Sequence, residues 1–235
     1  MNHRGRPGRR VPSGGARSGL RERNKEQKLE RIVRAGRALF VQKGFDETTT
    51  RAIAAKAGVA AGTFFLYFKE KRELLFHLFK DEVSAVQEKA LASVPGDAPL
   101  VEQIGHVFGS FYAYYARDPR LSRVFMKELL FLEVGESDDV LALTRGFVAR
   151  LAELVARAKD RGEIEPSVDP MQAATHAFAL YVFGVVGYLN GAFPTPDLAR
   201  TQLEHQLELL MQGLARSRGE RRAPSSRQKA TIRSE

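Results

Sequence analysis

Cysteine is absent, so disulfides and thiolate chemistry are excluded. Histidine is scarce, and the five present (His3, His77, His106, His176 and His205) have no metal-ligating spacing. Neither a glycine-rich phosphate loop nor a Gly-x-Ser-x-Gly elbow is found, and Glu163 and Glu165 flank a loop as ordinary solvated charges. These absences predict a protein that is not an enzyme and needs no metal or cofactor. No signal-peptide pattern and no 18-residue apolar run are read, which predicts a cytoplasmic protein without membrane contact. No internal repeat is visible, and no alternation is long enough to build a sheet, which leaves an all-α fold.

Positive charge is plentiful and unevenly placed within the net +9. Residues 1–28 hold nine Lys/Arg against two acids, and residues 29–71 hold eight against four. Residues 72–215 reverse the balance, with thirteen against twenty, and residues 216–235 restore it, with seven against two. A polyanion would therefore be drawn to the N-terminal part and the tails, and kept off the acidic centre. Residues 1–23 and 216–235 are predicted to be disordered basic segments. Arg4-Gly5-Arg6-Pro7 is similar to the core of an AT-hook, in which Arg4 and Arg6 would enter a narrow A·T minor groove. An unspecific phosphate-binding arm stands beside that reading.

Helical periodicity covers the rest. The first helix is predicted over 24–43, with Leu29, Ile32, Val33, Gly36, Leu39 and Phe40 as its core stripe and Gly44 as its stop. Thr49 should N-cap a short helix over 51–57, which Gly58 ends. A second short helix should run from Ala60 to Tyr67, with Phe64 and Phe68 turned inward and Thr63 and Tyr67 on the adjoining face. Further helices are predicted at 71–93, 99–116, 119–133, 138–161, 170–191 and 196–215, about nine in all. Their stops include Pro95-Gly96, Asp118-Pro119 and Gly162, and Pro170 suits a helix start.

The layout of residues 44–75 puts one small helix where it can lie in a DNA groove. The segment resembles the tetracycline-repressor (TetR) family of bacterial transcription regulators. The likeness is carried by Gly44-Phe45, Thr48 to Thr50, Ile53-Ala54, Ala57-Gly58-Val59, Gly62-Thr63, Tyr67-Phe68-Lys69, Lys71 and Leu74-Leu75. It spans about residues 28–75. The resemblance implies a three-helix helix-turn-helix domain over 24–70 and a ligand-binding and dimerisation domain over 71–215. Candidate DNA contacts are Thr49, Thr50, Arg51, Ala60, Ala61, Gly62, Thr63, Phe65, Leu66, Tyr67, Lys69 and Lys71. Tyr67, Lys69 and Lys71 are expected on phosphates, and Ala60, Ala61 and Phe65 on thymine methyls. The family often has serine at position 60 and tyrosine at position 65, so this reading helix is poor in polar base-reading side chains.

Two chains are needed to read two half-sites of a palindromic operator in double-stranded DNA. Gly184, Gly187 and Gly191, with Leu203, Leu207 and Leu210, are the candidate dimer seam, against which stands tight packing within one chain. A small apolar or amphipathic effector is expected in a pocket of Phe108, Tyr112, Tyr115, Phe125, Leu129, Phe147, Phe178 and Tyr181. By tilting the helix at 71–93, it would release the DNA. The function expected is that of a ligand-responsive dimeric repressor. The alternative is an architectural DNA-binding protein that uses its basic arms with little sequence choice.

Overall fold

The computed structural model describes residues 14–132 and 138–213, and among these it is all-helical, with no strand. Nine helices follow in order: α1 Gly14–Lys43, α2 Thr50–Lys56, α3 Ala61–Phe64, α4 Lys71–Ala92, α5 Leu100–Tyr115, α6 Pro119–Leu130, α7 Asp138–Asp160, α8 Pro170–Leu189 and α9 Pro196–Gln212. The arm residues Arg4 and Arg6 and the tail 216–235 lie outside the described residues.

Local signals set most of the boundaries. Thr49 caps α2 as expected, its hydroxyl accepting from the Ala52 N–H at 3.1 Å. Asp118, Asp169 and Thr195 cap α6, α8 and α9 in the same way, each followed by a proline in the first turn. Glu163, expected as a solvated charge, instead accepts the Leu100 N–H at 2.9 Å and supplies the cap that Pro99 cannot.

Three expectations change. α1 begins at Gly14, ten residues before the expected start, so residues 14–23 are helix rather than disordered arm. Arg, Leu, Glu, Lys and Gln dominate 20–28, and their summed helix propensity carries the helix beyond its packed part. α3 is shorter than the expected 60–67. Beyond Phe64 the chain tightens into three-residue turns, with the Tyr67 N–H on the Phe64 carbonyl at 3.0 Å. Finally, α8 has no Lys, Arg, Asp or Glu and is long and apolar enough to cross a membrane by length and composition. Packing on α6, α7 and α9 explains one side of it. The other side is an open stripe of Thr175, Ala179 and Phe183.

α1 to α3 form a head around Ile32, Ile53 and Phe64, each without exposed surface. α4 leaves this head and enters the body, where it packs on α5, α6 and α7. The body is held by a ring stack at its centre, Phe108 on Tyr181 at 4.2 Å, with Phe111, Phe147 and Phe178 edge-on or tilted around it.

Candidate functional site

In the head, α2 and α3 meet at an angle fixed by Gly58, whose φ of +65° is open to glycine at little cost. Phe64 and Phe68 point inward as expected, which leaves Ala60, Ala61, Gly62, Phe65 and Leu66 exposed on the outer surface. Thr49, Arg51 and Lys69 are exposed too, while Thr50 and Thr63 are half-buried. The structure therefore brings the candidate DNA contacts together on one end of the molecule.

Two of them have structural employment that the sequence did not suggest. The Tyr67 hydroxyl donates to the Lys25 carbonyl of α1 at 3.0 Å. The Lys71 ammonium donates to the carbonyls of Phe45 and Asp46, at 2.8 and 3.0 Å, and sits 4.5 Å from the centre of the Phe45 ring. Lys71 thus ties the start of α4 to the turn after α1. The cap at that start also differs from a standard box, since the Glu73 carboxylate accepts from the Lys69 N–H at 2.5 Å and Glu70 makes no side-chain cap.

In the body, a cavity of about 250 Å³ lies between α4, α5, α6, α7 and α8. Tyr115, Phe125, Leu129, Phe147, Phe178 and Tyr181 line it, as expected. Phe108 and Tyr112 do not. Phe108 lies under the Tyr181 ring, and Tyr112 donates to the Tyr181 carbonyl at 3.4 Å, so both form the layer behind the wall. Missing from the expectation were Phe76, Phe79, Lys80, Val83 and Gln87 of α4, together with Val140 and Thr144 of α7. The apolar positions of α4 at Phe76, Phe79 and Val83 were the available signal. They recur at the helical period and continue past the stripe that packs on the head.

The cavity is apolar and its hydroxyls are neutral. Burial pushes the Tyr115 hydroxyl up to about 12 and the Tyr181 hydroxyl well above its ordinary value. Lys80 is the cation on the wall, paired with Asp139 at 2.7 Å. His106 lies outside the cavity, its ring nitrogen 2.9 Å from the Ser93 hydroxyl.

A path of contacts joins cavity and head. Phe79 stacks on the cavity residue Phe125 at 4.0 Å and meets Tyr114 edge-on. The Tyr114 hydroxyl donates to Glu82 at 2.8 Å, and Glu82 pairs with Arg37 of α1. Burial and the Glu82 hydrogen bond raise the Tyr114 hydroxyl far above its ordinary value.

The residues expected at the dimer seam make contacts within this chain. A Cβ on Gly184 would stand 2.2 Å from the Tyr112 hydroxyl oxygen, and one on Gly187 2.5 Å from the Phe193 ring. Gly191 ends α8 with φ +84°. These glycines therefore serve packing and chain reversal within one chain. Leu203 and Leu207 are buried in the same body, and Leu210 alone of the three leucines is exposed.

The family model described as bacterial regulatory proteins, tetR family, matches residues 32–78, the segment from α1 to α4 that builds the head. The chain belongs to the TetR family. It is a DNA-binding transcriptional regulator. It is 27% identical to the transcriptional repressor KstR of Rhodococcus jostii over 187 residues, 79% of this chain and 84% of that one. It is 26% identical to the fatty acid metabolism regulator of Bacillus subtilis over 63% of this chain and 76% of that one. Among solved structures it is similar to the repressor FadR of Thermus thermophilus, determined in complex with lauroyl-CoA. That match has 26% identity and a TM-score of 0.63, over 84% of this chain and 98% of the other.

Proposed function

We propose that two copies of this protein bind a palindromic operator through their heads and repress transcription until an acyl ligand releases them. The observation that carries this is the cavity: it is apolar, it is walled by α4, and α4 is the helix that leaves the head. A volume of about 250 Å³ suits the apolar part of an amphipathic molecule, with the anionic part at the Lys80 side. The lauroyl-CoA bound by the Thermus relative supports an acyl-CoA as the ligand class.

Thr49, Thr50, Arg51, Ala60, Ala61, Gly62, Thr63, Phe65, Leu66 and Lys69 are the proposed DNA surface, acting in the cytoplasm. Tyr67 and Lys71 act there chiefly by holding α3 and the first turn of α4 in place. Two copies join through the open stripes of α8 (Thr175, Ala179, Phe183) and α9 (Leu198, His205, Leu209). An uncharged helix with one uncovered side is accounted for by a second copy.

A chain lodged against Phe125 and Phe79 shifts α4 and the Tyr114–Glu82–Arg37 linkage, and with them the spacing of the two heads. The test is operator binding by fluorescence anisotropy with and without lauroyl-CoA. A fall in affinity within the roughly 5–150-fold span of allosteric effects is expected. Unchanged affinity at saturating lauroyl-CoA and at saturating shorter and longer acyl-CoAs would remove acyl ligands from the reading.

A further inference from the structure

We propose that this protein discriminates its operator chiefly by the 5-methyl groups of thymine, with Phe65 and Leu66 as the specificity-determining side chains. The inference rests on the proposed role of α3 as the reading element.

The largest uncovered apolar side chains of the head stand in the turn that closes that element. Phe65 is 57% exposed and Leu66 80% exposed. Phe65 is also held: its ring meets the fully buried Phe64 ring edge-on at 5.5 Å, so it projects from a fixed base. Around the pair, Ala60, Ala61 and Gly62 are exposed and small, and a Cβ on Gly62 would meet nothing within 4 Å. The backbone can therefore come close to a base edge there.

What α3 and its flanking turns lack decides the rest. Guanine is read by a bidentate Arg or Lys, and adenine by a bidentate Asn or Gln. Residues 57–68 contain none of these. Two hydroxyls remain, and that of Tyr67 is already given to the Lys25 carbonyl. Thr63 keeps one, on a half-buried side chain. Of the groups that base pairs present in the major groove, the thymine methyl is the apolar one. Apolar side chains at this exposure recover free energy only where they meet an apolar partner.

The experiment uses the full-length protein and two random duplex pools, one made with thymine and one with uracil. Uracil keeps every hydrogen-bonding group of thymine and lacks the methyl. The thymine pool should give a palindromic consensus with thymines at fixed positions, and the uracil pool should give no consensus or a different one. Replacing one thymine per half-site by uracil in the selected duplex should weaken binding about 16-fold, at about fourfold per methyl and two methyls per palindrome. The Phe65→Ala, Leu66→Ala double variant should bind the two duplexes equally. Both side chains are exposed, so its melting temperature should match the parent's, and this serves as the folding check.

Equal affinity of the parent for the thymine and uracil duplexes overturns the inference and leaves operator recognition standing. A penalty that persists in the double variant overturns the assignment to Phe65 and Leu66. Enrichment from neither pool overturns sequence-specific reading itself, and the methyl inference with it.

Discussion

The head and the body both leave apolar surface uncovered, but in opposite geometry. In the head they project: Phe65 and Leu66 stand on a convex tip. In the body they converge, and Phe76, Phe79, Phe125 and Phe178 surround a space. A convex apolar tip among basic residues is satisfied by another surface, and double-stranded DNA supplies one with a methyl group at each thymine. A concave apolar space between five helices is satisfied by a small molecule. The difference in shape thus assigns one class of partner to each end of the chain. A third uncovered region, the α8 stripe at Phe183, is neither tip nor hollow, and it is the surface proposed above for a second copy.

Breaking the α8 stripe should have the largest effect. Phe183→Glu places a charge where a second copy would close, and the protein should sediment as a monomer. Operator affinity should then fall roughly 10²–10⁴-fold, because the second half-site no longer adds avidity. A Phe183→Glu protein that remains dimeric would move the interface elsewhere.

Inside the body the expected effect is smaller and concerns stability. Gly184→Ala sets a methyl 2.2 Å from the Tyr112 hydroxyl oxygen, and overpacking of this kind costs about 1–3 kcal/mol. Tyr112→Phe removes that oxygen, so the double variant should recover part of the loss in urea denaturation. Strictly additive losses would show that the two groups do not collide.

The head was legible in the sequence almost residue by residue, and the body only helix by helix. The reason is the range of the interactions. Thr49 as a cap, Gly58 as a left-handed turn and the Phe64–Phe68 pair are all local, and their partners lie within four residues. The hydrogen bonds of Tyr67 and Lys71 were not legible, because their partners, Lys25 and Phe45, lie 42 and 26 residues away. The same applies to Gly184, whose neighbour Tyr112 belongs to a different helix. The aromatic wall was partly legible, because six of the eight residues expected there line the cavity, but periodicity cannot say which ring is in front. Phe108 and Tyr181 carry the same signal, and the stack that puts one behind the other exists only after α5 and α8 meet.

The linkage between the regions should matter less than either region alone. Glu82→Gln keeps shape and removes the charge that Arg37 and Tyr114 share. Operator affinity without ligand should change little, while the ligand-induced loss should shift by about 0.5–2 kcal/mol. An unaltered ligand response in both Glu82→Gln and Tyr114→Phe would separate this cluster from the coupling.

The smallest effect belongs to Asp139. The Lys80 ammonium beside it holds its carboxyl below the usual aspartate range. A carboxyl so depressed lends stability above its unfolded value of about 3.9, and the contribution disappears as pH falls through the lower folded value. Both side chains are well exposed, at 42% for Lys80 and 77% for Asp139, so Asp139→Asn should melt with the parent at neutral pH. The ligand should feel it in the other direction. Lys80 lines the cavity, and with Asp139 neutralised its ammonium is released toward an anionic head. Affinity for an acyl-CoA should then rise about two- to fivefold, the span of an exposed ion pair, and the gain should fade with added salt. A neutral ligand of the same chain length should gain nothing, which makes Asp139→Asn a reporter of which end of the ligand faces α4.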